Sequence, residues 1–298
     1  MGDRRRRLAD RWLLEDRRRL GWLLASVGML CVSTDSLWVR ASAADAADVA
    51  FWVAVCALAV YSVLGRVVDR QPMLESLRRH RLPIVAAGLL AATSQLAFVT
   101  AVTETRVANV VAIVAAVPVM AAGCARLFLG ERTTRHAGLA IAVTVAGIAV
   151  IVSGSVGRPT LRGDLLALVA VASFAANLTI WRRYPDMSRR AALSASAVAV
   201  IAVTSLTASP FSLDARAYLA IAAMGLVFNP LGRLAHSSAP RYAPVSEVAL
   251  FTPIETVAAT VWAALFLSEL PGPVTVVGAV VVLAGVFYGT VAFTRQDG

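Results

Sequence analysis

Leu127-Phe128-Leu129-Gly130-Glu131 returns as Leu265-Phe266-Leu267-Ser268-Glu269, a shift of 138 residues (127 to 265). The same shift sets Val107 on Val245, Val110 on Val248, Ala146 on Ala284 and Gly147 on Gly285. Near the start of the chain a shift of 142 (21 to 163) sets Gly21-Trp22-Leu23-Leu24-Ala25 on Gly163-Asp164-Leu165-Leu166-Ala167. The sequence therefore reads as two copies of one unit.

What each copy contains follows from composition. The 298 residues are 58% hydrophobic and 15% charged, with mean hydropathy +0.73. A soluble domain carries roughly a quarter charged residues, so lipid is the solvent this chain expects. A helix crosses the hydrocarbon core in about 20 apolar residues. Ten runs of that kind are predicted, over 21–39, 49–67, 82–101, 106–129, 136–153, 163–181, 191–208, 215–236, 243–267 and 273–293. Strands of a barrel would be half as long and would alternate. The expected fold is an all-α integral membrane protein of ten transmembrane helices in two five-helix repeats. The predicted boundaries are a basic N-terminal segment 1–20, a first repeat 21–153, a linker 154–162, a second repeat 163–293 and a tail 294–298. An odd number of crossings makes the second copy enter from the opposite side, so the repeats are inverted. Such repeats build two-sided access around a midplane site in secondary transporters.

The net charge of +10 is carried on the basic side entirely by arginine. Only Arg40, Arg106, Arg158, Arg162 and Arg216 fall on one side of the ten spans, and Arg233 falls within a span; the rest gather on the other side. The positive-inside rule then predicts both termini in the cytoplasm, and the basic balance is topology rather than a nucleic-acid surface. A signal peptide ending near Ala41-Ser42-Ala43 is the rival at the N-terminus, but the apolar run is long for one and contains Asp35. The arginine-rich stretch with Trp12, Leu13 and Leu14 reads as an amphipathic segment on the anionic inner leaflet. Cys31, Cys56 and Cys124 lie singly in apolar runs, so they indicate neither a disulfide framework nor a metal site.

With these residues in view, the chain resembles the ten-helix, EamA-type branch of the drug/metabolite transporter superfamily from Gly21 to Phe293. The resemblance rests on Leu127–Glu131 and Leu265–Glu269, on the Gly147 and Gly285 helices, and on Pro118 in the fourth span. The second copy departs from the pattern: Glu255 is followed by Thr256, and Pro253 stands three residues earlier, which displaces the helix break. The resemblance implies a secondary transporter of the bacterial inner membrane exporting small metabolites, with aromatic and neutral amino-acid exporters the closest analogy. It implies a small-molecule substrate, contact with membrane lipid, protons as a candidate coupling ion, no cofactor, no nucleic acid and no required oligomer.

Polar side chains inside spans are expensive and commonly functional. Asp35, Gln95 and Asn109 are predicted toward the outer leaflet, and their repeat counterparts Asn177, Arg233 and Glu247 toward the inner one. Arg233 and Glu247 are candidates for a gate, pairing with each other when the cytoplasmic side is shut; the plainer reading is that both snorkel to the interface. Glu255 is the deepest carboxylate, suited either to exchanging a proton or meeting a substrate ammonium, or to a structural role. Trp38 and Trp181 suit an interfacial belt or a stacking wall for substrate. Asn229-Pro230 should kink the eighth span near the cavity, and His236 reads as interfacial. Other classes fare poorly. No serine and histidine meet within spans as an intramembrane hydrolase requires, no carboxylate cluster suits a metal-dependent lipid phosphotransferase, and a chain without lysine has no P-loop. A flippase or exporter of lipid-linked, drug-like or nucleotide-type substrates on the same fold remains the alternative, a flippase to be told apart by a lateral opening to lipid.

Overall fold

Backbone groups in lipid have no partner but the chain itself, and every described element is a helix. The structure, a computed structural model, describes residues 2–67, 73–104, 110, 113–114, 116–153, 161–209, 211–267 and 273–296. The first copy supplies α1 (Gly2–Val32), α2 (Asp35–Ser42), α3 (Ala46–Val67), α4 (Met73–Arg79), α5 (Arg81–Glu104), α6 (Val117–Leu129) and α7 (Arg135–Ser153). The second supplies α8 (Leu161–Arg183), α9 (Arg189–Thr204), α10 (Ala215–Ala223), α11 (Asn229–Ser238), α12 (Val245–Leu250), α13 (Pro253–Leu267) and α14 (Pro273–Gln296). Asn109, Glu269 and positions 154–160 of the expected linker lie outside the described residues. Among the described residues, six helical stretches are long and apolar enough to cross a membrane: Asp16–Ser42, Ala46–Leu64, Arg81–Ala101, Leu161–Arg183, Ala215–Arg241 and Val245–Phe266. Shorter apolar helices cover Val117–Leu129, Arg135–Val150 and Val276–Gly289.

Three interruptions inside long helical runs have local causes. Between α1 and α2 the hydroxyls of Ser33 and Thr34 donate back to the carbonyls of Leu30 (2.6 Å) and Cys31 (2.8 Å), competing with the helical ladder. Between α10 and α11 a π turn spans Met224–Phe228. Pro230 has no N–H and crowds the carbonyl four residues back, and the widened turn absorbs that conflict where a kink is expected from sequence. Between α12 and α13, Phe251 and Thr252 form a tight turn whose bonds run to the third residue back, Phe251 N–H to Val248 O (3.2 Å) and Thr252 N–H to Ala249 O (3.1 Å). Pro253 then restarts the helix, as Pro118 does in the first turn of α6, where the missing N–H leaves no bond unmade.

The repeat is written into the helix contacts. α7 and α14 run antiparallel through glycines that leave no room for a side chain. A Cβ at Gly147 would lie 2.7 Å from Val282 N and 3.0 Å from Gly278 O, and one at Gly285 would lie 2.9 Å from Thr144 N and 3.2 Å from Ala140 O. Positions 140, 144 and 147 become 278, 282 and 285 under the 138-residue shift, so the two sides of this interface are copies exchanged by a two-fold axis. The α1–α11 and α5–α8 pairs repeat the device. Gly28 abuts Gly232 O, while Ser94 donates to Ala170 O at 2.9 Å; Gly28 maps to 170 and Ser94 to 232. Small residues at such crossings let backbones approach and gain dispersion contacts that lipid cannot supply.

Gly285→Leu should destabilise the protein by about 1–3 kcal/mol through overpacking, read as a lower thermal midpoint in detergent. Gly123→Ala, where nothing lies within 4 Å of the new Cβ, should leave the midpoint unmoved.

Candidate functional site

The side chain of Asn229, 3% exposed, joins two opposite charges in the middle of the bundle. Its Nδ2 donates to Asp35 Oδ2 at 2.8 Å, and its Oδ1 accepts from Arg233 Nε at 3.1 Å. Arg233 Nη2 donates onward to Gln95 Oε1 at 2.9 Å. Asp35 is presented by the break after Thr34, in the first turn of α2, where the helix dipole favours a carboxylate. Asn229 and Arg233 stand one turn apart in α11, just beyond the π turn.

Around this chain of hydrogen bonds lie polar atoms that are buried without partners: Asp35 Oδ1, Trp38 Nε1, Tyr61 OH and His236 Nε2. Unsatisfied atoms of this kind are rare and call for an explanation such as a ligand or water. Of these four residues Tyr61 lines a cavity of about 20 Å³, which is bounded also by Gln95, Ser196, Asn229 and Arg233 together with apolar residues of α3 and α9. That is space for one water. Trp38, three residues beyond Asp35, stacks on Phe228 with ring centroids 5.6 Å apart. Glu255, in the first turn of α13, lies close enough to feel the charges of both Asp35 and Arg233.

The structure brings Asp35, Trp38, Gln95, Asn229, Arg233 and Glu255 of the sequence candidates into one neighbourhood, and it revises others. Gln95 and Arg233 do not form separate outer and inner layers. They are repeat counterparts (95 to 233) that bond directly to each other, because residues near a two-fold axis meet their own copies. Arg233 and Glu247 do not pair. Glu247, 3% exposed, accepts from Arg18 Nε (2.9 Å), from Arg18 Nη2 and from Trp22 Nε1 (2.9 Å). Asn177 donates to Ala87 O at 2.6 Å and fastens α8 to α5. Trp181 is buried beneath the Arg189 guanidinium, 4.8 Å from its ring centroid. Arg189 also donates to the carbonyls of Trp181, Tyr184 and Met187, so this tryptophan serves the end of α8 and lines no central cavity. His236 is no interfacial residue: it is 5% exposed and stacked on Phe174 at 5.6 Å.

Sequence reasoning missed Tyr61, whose hydroxyl faces the cavity, because one tyrosine in an apolar run carries no pattern. It also missed what the Leu-Phe-Leu-Gly-Glu ending does. Gly130 adopts φ +68 and closes α6, as glycine does at such helix ends, which turns Glu131 back across the bundle. Glu131 accepts from Arg182 Nε at 2.7 Å and from Val245 N–H at 3.3 Å, and Arg182 donates to Pro240 O at 3.2 Å. The motif thus ties α6, α8 and the start of α12 together at one end of the molecule.

Comparison with known proteins agrees with this architecture. The model of the EamA-like transporter family matches residues 19–153 and again 161–290. A solved crystal structure titled only as that of a protein superposes with TM-score 0.76 at 16% identity, covering 93% of this chain and 99% of its own. The likeness is one of fold. No curated protein matches the sequence.

Asn229→Leu should strand Asp35 and Arg233 without their bridge. The loss of a buried hydrogen bond to each charged group costs about 1–3 kcal/mol, to be seen as an unfolding midpoint below that of the parent protein.

Proposed function

The chain belongs to the EamA-like transporter family, and on that premise we propose that it exports amino acids across the bacterial cytoplasmic membrane by alternating access, with both termini inside. The observation that carries the substrate class is the pairing of opposite charges across Asn229. Asp35 keeps one buried oxygen without a partner, and Arg233 stands on the far side of the amide. An α-amino acid brings an ammonium and a carboxylate a few ångströms apart. The ammonium suits the open oxygen of Asp35, and the carboxylate suits a guanidinium, which binds carboxylates through parallel donors.

Trp38 stacked on Phe228 supplies an apolar wall beside this pair, favouring a neutral or aromatic side chain on the substrate. The small central cavity, about 20 Å³, suits a state between loadings of a small solute, and the two-fold exchange of helix contacts supports alternation between openings related by that axis. Glu255, facing the same charges, is the carboxylate suited to carrying a coupling proton.

Counterflow of labelled amino acids into liposomes holding the purified protein tests this reading. Exchange competed by a subset of neutral amino acids is the expected result. Asp35→Asn and Arg233→Gln should each weaken competition about 10–100-fold, as removal of a charged hydrogen-bond partner does. Exchange that ignores every amino acid would overturn the substrate class. An imposed pH gradient applied to Glu255→Gln reads coupling separately: retained counterflow with lost response to the gradient assigns the proton to that carboxylate.

A further inference from the structure

Helix α12 is six residues long and buried along its whole length, with Val245, Val248, Ala249 and Leu250 at 0% exposure. Pro244 precedes it, and the turn at Phe251–Thr252 with Pro253 separates it from α13. Two carboxylates hold it. Glu131 reaches its first N–H with a long bond of 3.3 Å. Its own Glu247 is gripped by Arg18 through two nitrogens and by the indole N–H of Trp22, with the guanidinium also 5.6 Å from the Trp22 ring centroid. Beside the N-terminal end of α12 lies a second cavity of about 200 Å³, bounded by Ala125, Glu131, Arg132, Arg182, Pro244 and Ser246. The helix therefore has a joint at one end and open volume at the other.

We propose that Arg18 and Trp22 form a latch on Glu247 that holds α12 closed over one end of the bundle, and that its release lets α12 swing about Phe251–Thr252 to open the central site. The proposal rests on the alternating-access reading. The grip is asymmetric in exposure: the Arg18 side chain is 18% exposed and that of Glu247 4%. The Arg18 side chain lies nearer to water, whereas Glu247 reaches water only when α12 moves. A buried pair of this kind has no stable half-broken form, since a lone carboxylate in an apolar interior is heavily penalised. The contact is thus made with α12 in place or exchanged for water with α12 displaced. The repeat counterpart of Glu247 is Asn109, a neutral amide, so the sequence does not write the same charge into both copies. The end held by α12 is the cytoplasmic one in the proposed orientation.

The test uses the full chain in nanodiscs, with Cys31→Ala, Cys56→Ala and Cys124→Ala and a reporter at Ala249→Cys, labelled by a membrane-impermeant maleimide. Arg18→Gln and Glu247→Gln should each speed labelling about tenfold, as expected when a two-state equilibrium loses a buried charge pair. The exchanged pair Arg18→Glu with Glu247→Arg should slow labelling again toward the parent rate. Unchanged labelling in Arg18→Gln overturns the latch, and so does fast labelling that the exchanged pair does not reverse. Hydrogen exchange on the chain without the reporter gives a second reading. Arg18→Gln should raise exchange over 245–250 and leave 256–266 as in the parent, whereas an equal rise in both segments means general loosening and overturns the proposal. Neither measurement needs a substrate, so failure to exchange amino acids would strike the transport reading alone.

Discussion

A guanidinium inside an apolar bundle must be given acceptors, and the arrangement of the middle of this protein follows from how Arg233 finds them. Its own helix offers Asn229 one turn away, and the other copy of the repeat offers Gln95. Meeting both requires α5 to approach α11, and satisfying Asn229 in turn requires Asp35, hence the break that ends α1. Three elements distant in sequence are thereby drawn to one point by a demand that a leucine at 233 would not make. Charges so placed are weak stabilisers of a fold. Their retention here goes with atoms left open beside them, at Asp35 Oδ1 and Tyr61 OH.

The two-fold axis explains why this point lies where it does. Away from the axis, a residue and its copy are separated by the thickness of the bundle, and they can diverge freely: Asp164 stands where Trp22 does, and Asn109 where Glu247 does. On the axis they touch, so Gln95 and Arg233 must be chemically compatible with each other. An amide oxygen facing a guanidinium satisfies that requirement, whereas two arginines would not. Divergence between copies is therefore both permitted and needed, and it turns an evenly repeated scaffold into a centre with one basic and one acidic side.

Much of this is legible in the amino-acid sequence. The Leu-Phe-Leu-x-Glu blocks carry the repeat, and Gly147 and Gly285 are paired by the same shift. The turn before Pro253 was readable from the displaced proline. Side-chain length defeated the depth argument for Gln95 and Arg233, since a long side chain moves its polar head several ångströms from the position its Cα suggests. Arg18 was unreadable as the partner of Glu247, because it precedes the first apolar run and was counted only as topology. Asn177 and Trp181 show the opposite error: a polar or aromatic residue in a span declares its cost but not its direction, and theirs faces a neighbouring helix. What fixes direction is the rotation of each helix about its axis, a property of packing that spacing alone leaves undetermined.

The π turn at Met224–Phe228 governs that rotation for the whole second half of its span. An α-helix turns each residue about 100° past the last, and a π turn accommodates one residue more than a regular turn would. Asn229, Arg233 and His236 all lie downstream, so their shared inward face depends on that extra residue. Were the same residues wound as regular α-helix instead, every residue downstream would be turned by about 100°, carrying the arginine away from Gln95 with unchanged composition and hydropathy. Here the reading frame of a helix is itself a functional feature, and homologues with equal numbers of polar residues can differ in it by one residue.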